Sequence, residues 1–245
     1  LDRIATDIEI GECVDKPCIA KKFFTPKSAK WVVAKLTKFL ATDFWVNPGV
    51  RLANEVVYTL LLRKAGVKVP KILAVDLETY TLFREYVEGT PLPQFVCMEI
   101  TQPFRLVGET LANIHLKGIV LGDTRPSNFI ISPDGQNAYV VDLEQARIGG
   151  DPSWDLAELL YFIALECELR CRGTHKHLRF LRYVQALLKG YICAGGREEV
   201  IEKITSRRYA SVFSFLMTPL VAEGYRRALQ RLLKLVKRIN WVSGC

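Results

Sequence analysis

The chain has 245 residues, 49% of them hydrophobic, and a formal net charge of +8, so it is one large or two small domains with a real core, and its charge suits anionic partners such as nucleotides, acidic protein surfaces or RNA. No apolar run approaches the roughly 18 residues needed to cross a bilayer and no signal peptide is visible, so no transmembrane segment is expected. Seven cysteines, an odd number with no C-x-x-C pair, argue against a disulfide framework or a zinc site and for a reducing, cytoplasmic setting.

In chain order, Ile4–Ile10 and Pro17–Phe24 read as two strands joined by a turn around Gly11. Residues 27–40, KSAKWVVAKLTKFL, carry Trp31, Val32, Ala34, Leu36, Phe39 and Leu40 among lysines and read as a basic amphipathic helix, either packed on the neighbouring strands or binding RNA or a partner. Asn47 and Pro48 suit the N-cap and first position of a helix running to Lys64 and stopped by Gly66. On it Glu55 shares a row with Leu52, Thr59 and Leu62, where a carboxylate needs a cation. A local pair with Arg51 is one solution. Val69–Val75 and Tyr80–Val87 read as two more strands, and Ile100–Lys117 as a helix closed by Gly118, with His115 in a packing or hydrogen-bonding role. Further helices are expected at 153–169, 176–194, 197–205, 207–217 and 219–240. The last carries Arg226, Arg227, Arg231, Lys234, Lys237 and Arg238 opposite an apolar stripe, which is a solvated face or a surface for RNA, an acidic partner or a membrane.

Between these helices lies the stretch with the most chemistry, 118–144, GIVLGDTRPSNFIISPDGQNAYVVDLE. Phe129–Ile131 and Ala138–Val141 flank a Pro-Asp-Gly turn and read as a β-hairpin. Its open end brings Asn128 and Asp142 to roughly 5 Å, the directly opposed distance. Two hard oxygen donors at that separation suit Mg²⁺, which completes its shell with phosphates and water. Asp123, just upstream, can orient a hydroxyl.

The order D-x-x-x-x-N, then an Asp after an apolar strand, together with GIVLGDTRPSNFII and GDPSWDLAEL (Gly150–Leu159), resembles the small atypical members of the protein-kinase-like superfamily. These include the RIO kinases, the small kinase of the KEOPS complex, the Kdo kinases, and the aminoglycoside and choline phosphotransferases. The resemblance implies an α+β, bilobal fold: a small β-rich lobe over 1–87 and a mostly helical lobe over 88–245 holding the catalytic hairpin 121–144. It implies that Lys21, in Cys18-Ile19-Ala20-Lys21, contacts the ATP phosphates and pairs with Glu55. Strand alternation turns Ile19 and Lys21 to the cleft and Lys22 away, although a one-residue slip would exchange the two lysines. Backbone groups of Glu85 and Val87 would meet the adenine, with Arg84 where the family has an apolar side chain. Asp123 would be the catalytic base, Asn128 and Asp142 the Mg²⁺ ligands, Arg125 a phosphate or acidic-substrate contact, and Asp155 a structural brace of the loop. Leu121 replaces the usual loop histidine, no G-x-G-x-x-G precedes Lys21, and only twelve residues separate Asp142 from Asp155 with no A-P-E. The function implied is an ATP- and Mg²⁺-dependent phosphotransferase, a Ser/Thr protein kinase or ATPase. A small-molecule kinase and a non-catalytic pseudokinase scaffold for RNA or protein are the alternatives.

Overall fold

The computed structural model describes residues 7–13, 16–24, 44–173, 175–206, 209, 219–239 and 245. The expected helix at 27–40 lies outside them, as does nearly all of 207–217. The chain forms a small β-rich lobe and a larger, mostly helical one, the α+β bilobal arrangement anticipated above.

The small lobe is a four-stranded antiparallel sheet of β1 (Asp7–Cys13), β2 (Lys16–Lys22), β3 (Ile72–Asp76) and β4 (Thr81–Glu85), in the order β1-β2-β4-β3. Gly11 is not the turn: it pairs with Cys18 inside the β1–β2 ladder, which continues to Cys13 opposite Lys16. Seven consecutive cross-strand pairs outweigh the weak strand preference of one glycine. Helix α1 (Pro48–Lys64) begins where Asn47 Oδ1 accepts the N–H groups of Gly49 (2.9 Å) and Val50 (3.2 Å). Gly66, at φ +83°, follows its end. Leu52, with Phe23 and Leu82, makes the small apolar contact between helix and sheet.

In the larger lobe, α2 (Gln102–His115), α3 (Pro152–Arg170) and α4 (Lys176–Cys193) pack around one core that includes Phe104, Leu111, Ile163 and Leu187. The α2–α4 crossing is close because glycines sit at the contact. A Cβ on Gly108 would lie 1.9 Å from the Leu187 carbonyl oxygen, and one on Gly190 2.1 Å from that of Arg105. Short strands β5 (Thr90–Pro91), β6 (Ile119–Val120), β7 (Phe129–Ile131), β8 (Ala138–Val140) and β9 (Arg147–Ile148) carry the loops of the cleft, β7 and β8 forming the expected hairpin and β6 pairing with β9. Helix α5 (Glu198–Lys203) is shorter than expected, and α6 (Pro219–Ile239) closes the described chain before Cys245. Arg226 on α6 does not belong to a solvated basic face: it is buried, with its guanidinium on Glu223 at 2.6 Å.

The reading of the cysteines needs correction. Three disulfides join Cys13 to Cys18, Cys97 to Cys171 and Cys193 to Cys245, and Cys167 is the buried free thiol among the described residues. An odd total only means that one cysteine is left over. Pairs 74 and 52 residues apart are made by tertiary packing, which parity and C-x-x-C spacing do not report. The cysteines therefore give no support to a reducing setting, because disulfides mark oxidising compartments or the intracellular proteins of hyperthermophiles. Among the described residues no helix is long and apolar enough to cross a membrane.

Candidate active site

Lys21 leaves β2 on the face turned toward α1 and is 1% exposed. Its Nζ lies 2.9 Å from Asp142 Oδ1, 3.2 Å from Glu55 Oε2 and 3.3 Å from Glu144 Oε2. Lys22, one residue on, faces the other way and meets the exposed Glu9 at 3.2 Å. The register thus gives the interior position to Lys21 and the surface to Lys22. Burial disfavours the Lys21 ammonium, but Asp142, Glu144 and Glu55 overcome that and hold its pKa above the usual lysine range.

One face of α1, spaced i, i+3, i+4, i+7, is fastened to the segment after the hairpin. Arg51 donates to both oxygens of Glu144 (2.8 and 2.9 Å), and Asn54 Nδ2 donates to the carbonyls of Glu144 (3.3 Å) and Ala146 (3.4 Å). Glu55 Oε2 accepts the N–H of Leu143 at 2.6 Å, and Tyr58 Oη accepts that of Ile148 at 2.9 Å. Just before the helix, Gln145 exchanges hydrogen bonds with the backbone of Trp45 in both directions (2.8 and 3.0 Å). Arg51 is therefore committed to Glu144 and is not the local partner of Glu55. The second Glu55 oxygen meets Arg84 Nη1 at 3.5 Å, so the cation on β4 does point into the site. The cluster holds three carboxylates (Glu55, Asp142, Glu144) and three cations (Lys21, Arg51, Arg84), formally neutral, which is what permits its burial.

The loop carrying Asp123 is braced from α3 and α2. Asp155 accepts the N–H groups of Leu121 (2.6 Å) and Gly122 (2.9 Å), and His115 bridges Asp155 Oδ2 (3.0 Å) to the Tyr191 hydroxyl (2.9 Å). Gly122, at φ +75°, has no room for a side chain: a Cβ would sit 2.8 Å from the Gln145 carbonyl oxygen. Asp123 is buried and takes a two-pronged pair from Arg125, Nε to Oδ1 at 2.8 Å and Nη2 to Oδ2 at 2.7 Å. Asn128 Nδ2 donates to the Asp123 carbonyl at 2.9 Å, which orients Oδ1 as the oxygen left for a cation.

Asn128 and Asp142 are not directly opposed: the hairpin register, Phe129 opposite Val140, sets Asn128 against Val141, whose N–H its carbonyl accepts at 2.9 Å, and Asp142 follows one residue further on at the hairpin exit. Asp142 holds a left-handed backbone, φ +73°, a conformation that costs an ordinary residue about 1–2 kcal/mol and is fixed here by the Glu55–Leu143 bond. Burial opposes the Asp142 carboxylate, but Lys21, with Arg125 and Arg84, pulls its pKa down to about 2. An ionised carboxylate beside an amide oxygen fits Mg²⁺, which takes only one or two protein ligands when phosphates supply the rest. Among the described residues no cluster of three or more His, Cys, Asp or Glu able to hold a metal by itself occurs. Glu85 and Val87 lie apart from this cluster, at the end of β4 and just beyond it, and the Glu85 N–H is taken by the Lys71 carbonyl at 2.9 Å.

Sequence reasoning missed Glu144, its partner Arg51, and Glu158. Arg51 sits one helical turn before Glu55, and Glu144 ends Asp-Leu-Glu, but nothing local says that two residues 93 apart meet. Glu158 accepts the N–H (2.8 Å) and hydroxyl (3.1 Å) of Thr124. Burial, then the charge of Asp123, push its pKa well above the usual carboxylate range. A raised acid pKa means that the folded chain keeps a proton the unfolded chain has lost. The resulting stability is full below the ordinary glutamate value of 4.5 and is given up as pH rises toward the folded value. Glu158→Gln removes this titration. Its melting temperature is expected to vary less between about pH 5 and pH 8 than the parent's, and to be no lower at about pH 8. A parent-like slope in the variant would show that Glu158 is ionised throughout.

No protein-family model matches the chain. It is 30% identical over 142 residues to the probable serine/threonine-protein kinase BUD32 homolog of Archaeoglobus fulgidus, covering 58% of this chain and 65% of that one. It is also 30% identical over 154 residues to the KEOPS complex subunit Bud32 of Pyrococcus abyssi, covering 59% and 66%. The chain thus spans just under two thirds of the length of these curated relatives. Among solved structures, a choline/ethanolamine kinase family protein from Mesorhizobium loti superposes with a TM-score of 0.53 at 14% identity, over 94% of this chain and 89% of that one, a likeness of fold.

Proposed function

Because the chain belongs to the atypical protein-kinase-like superfamily, we propose that it is an ATP- and Mg²⁺-dependent phosphotransferase acting on a hydroxyl, a Ser/Thr protein kinase or ATPase of the Bud32 type. The observation that carries this reading is the meeting of Lys21 with both Glu55 (3.2 Å) and Asp142 (2.9 Å), three residues from the strand, helix and hairpin exit. Asn128 and Asp142 hold Mg²⁺, which supplies charge neutralisation at the phosphates. Lys21, steadied by Glu55, exchanges Asp142 for phosphate oxygens when nucleotide enters, and Glu85 and Val87 meet the base through their backbone. Asp123 aligns the acceptor hydroxyl and takes its proton late, as a loose phosphoryl transfer requires. The reaction is then mostly positioning and charge balance. As the name of the Pyrococcus abyssi relative implies for that protein, the chain works with protein partners.

A second reading, a small-molecule acceptor, is favoured by the short run from Asp142 to α3, part of which is already paired as β9 on β6. That leaves little chain to dock a peptide. Thermal-shift titration with nucleotide and Mg²⁺, followed by a labelled-phosphate transfer assay, tests both readings. A stabilisation that needs nucleotide and Mg²⁺ together and vanishes in Asp142→Ala supports phosphoryl transfer, and the labelled acceptor separates protein from small molecule. No shift with any nucleotide would leave a scaffold.

A further inference from the structure

Arg84 is incompletely satisfied where it stands. It lies directly across β4 from Ile19 on β2 and Ile72 on β3, so it shares the cleft face with Ile19 and Lys21 and sits one side-chain repeat, about 7 Å, toward the end of β4 from Lys21. Its side chain is 9% exposed, and its one ion pair among the described residues, Nη1 to Glu55 Oε1 at 3.5 Å, is at the limit of a hydrogen bond. Glu55 spends its shorter bonds elsewhere, on Lys21 at 3.2 Å and the Leu143 N–H at 2.6 Å. Arg84 Nε is buried without an acceptor among the described residues. A buried guanidinium carries five N–H groups, and leaving them unmet is costly. An acceptor brought in by a ligand would complete the set.

The position says which part of the ligand that is. On the phosphotransferase reading, on which this inference rests, the phosphates lie at Lys21 and the base lies toward residues 85–87, so the base passes Ile19 and Arg84. We infer that Arg84 reads the nucleobase, and that the cleft takes a purine with a carbonyl at position 6, as in GTP, at least as well as ATP. The planar fork of arginine matches the O6 and N7 acceptors of guanine together. Adenine offers N7 but turns its 6-amino group, a donor, against the same fork, leaving donors unmet on both sides.

Equilibrium binding of ATP, GTP and ITP to the full chain with Mg²⁺ tests this, in the parent and in Arg84→Met and Arg84→Lys. ITP carries O6 and N7 without the guanine 2-amino group, so it isolates the contact in question. The parent is expected to bind GTP and ITP at least as tightly as ATP. Arg84→Met should weaken both 6-carbonyl nucleotides by about tenfold or more beyond whatever change it makes to ATP. Arg84→Lys, which preserves the charge facing Glu55 but not the fork, should do the same. A parent that favours ATP by about tenfold, or variants that lose all three nucleotides equally, overturns the inference and reduces Arg84 to a support for Glu55. If the parent binds no nucleotide, the phosphotransferase reading fails with it, a result distinct from either of these.

Discussion

Replacing Arg51 by methionine is expected to cost the fold about 3–5 kcal/mol, measured by urea unfolding, or about 10 °C of melting temperature for a chain of this size. Arg51 is fully buried and donates to both oxygens of Glu144, so its removal strands a carboxylate that water cannot reach. Lys21, 3.3 Å from Glu144, can compensate only in part, because it also serves Asp142 and Glu55. Burial already raises the pKa of Glu144, with Lys21 pulling the other way, and loss of Arg51 drives it further up, toward a neutral acid. The pair is held for position more than for stability. Arg51→Met with Glu144→Met should therefore recover more than half of the loss, since a well-packed apolar pair replaces a buried ion pair at little cost. A single variant that loses less than about 1 kcal/mol, the value of a surface pair, would show that the cluster hydrates when perturbed.

The same cluster marks the limit of what the sequence made legible. Signals confined to a few residues were readable: Asn47-Pro48 and Gly66 bound α1, and the Pro-Asp-Gly turn announced the hairpin. Strand alternation put Lys21 and Lys22 on opposite faces, but which of them faced the cleft was settled only by the register of β2 against β4. What lay hidden were pairings set by packing across the chain. Arg51 and Glu144 look like an ordinary helix cation and a loop acid until the cleft brings them together. Cys97 and Cys171 are 74 residues apart and were read as thiols. Arg84 stands where the resemblance puts an apolar side chain, and only the fold supplies a counterpart for it, since Glu55 meets both Lys21 and Arg84. At Gly11 the failure ran the other way: a local breaker signal was overruled by a ladder of partners.

Asp123→Asn should then separate chemistry from binding. On the proposed mechanism it lowers kcat by about 10²–10⁴, the usual contribution of a positioned general base, while the Mg²⁺-dependent nucleotide shift survives. Survival is expected because Asp123 orients Asn128 through its backbone carbonyl, at 2.9 Å, which the substitution leaves in place. The carboxylate itself is held ready: Arg125 grips both oxygens, so its direction is fixed. Asparagine keeps the shape and one acceptor but cannot take a proton, and its amide would face the guanidinium donor to donor. Arg125→Met is the control, since it frees the carboxylate without removing it. It should lower transfer less than Asp123→Asn and weaken any contact that Arg125 makes to the transferred phosphate. Loss of the nucleotide shift along with transfer in Asp123→Asn would mean that Asp123 holds the loop together through its pair with Arg125. Transfer retained within about tenfold would move the proton acceptor elsewhere in the cleft.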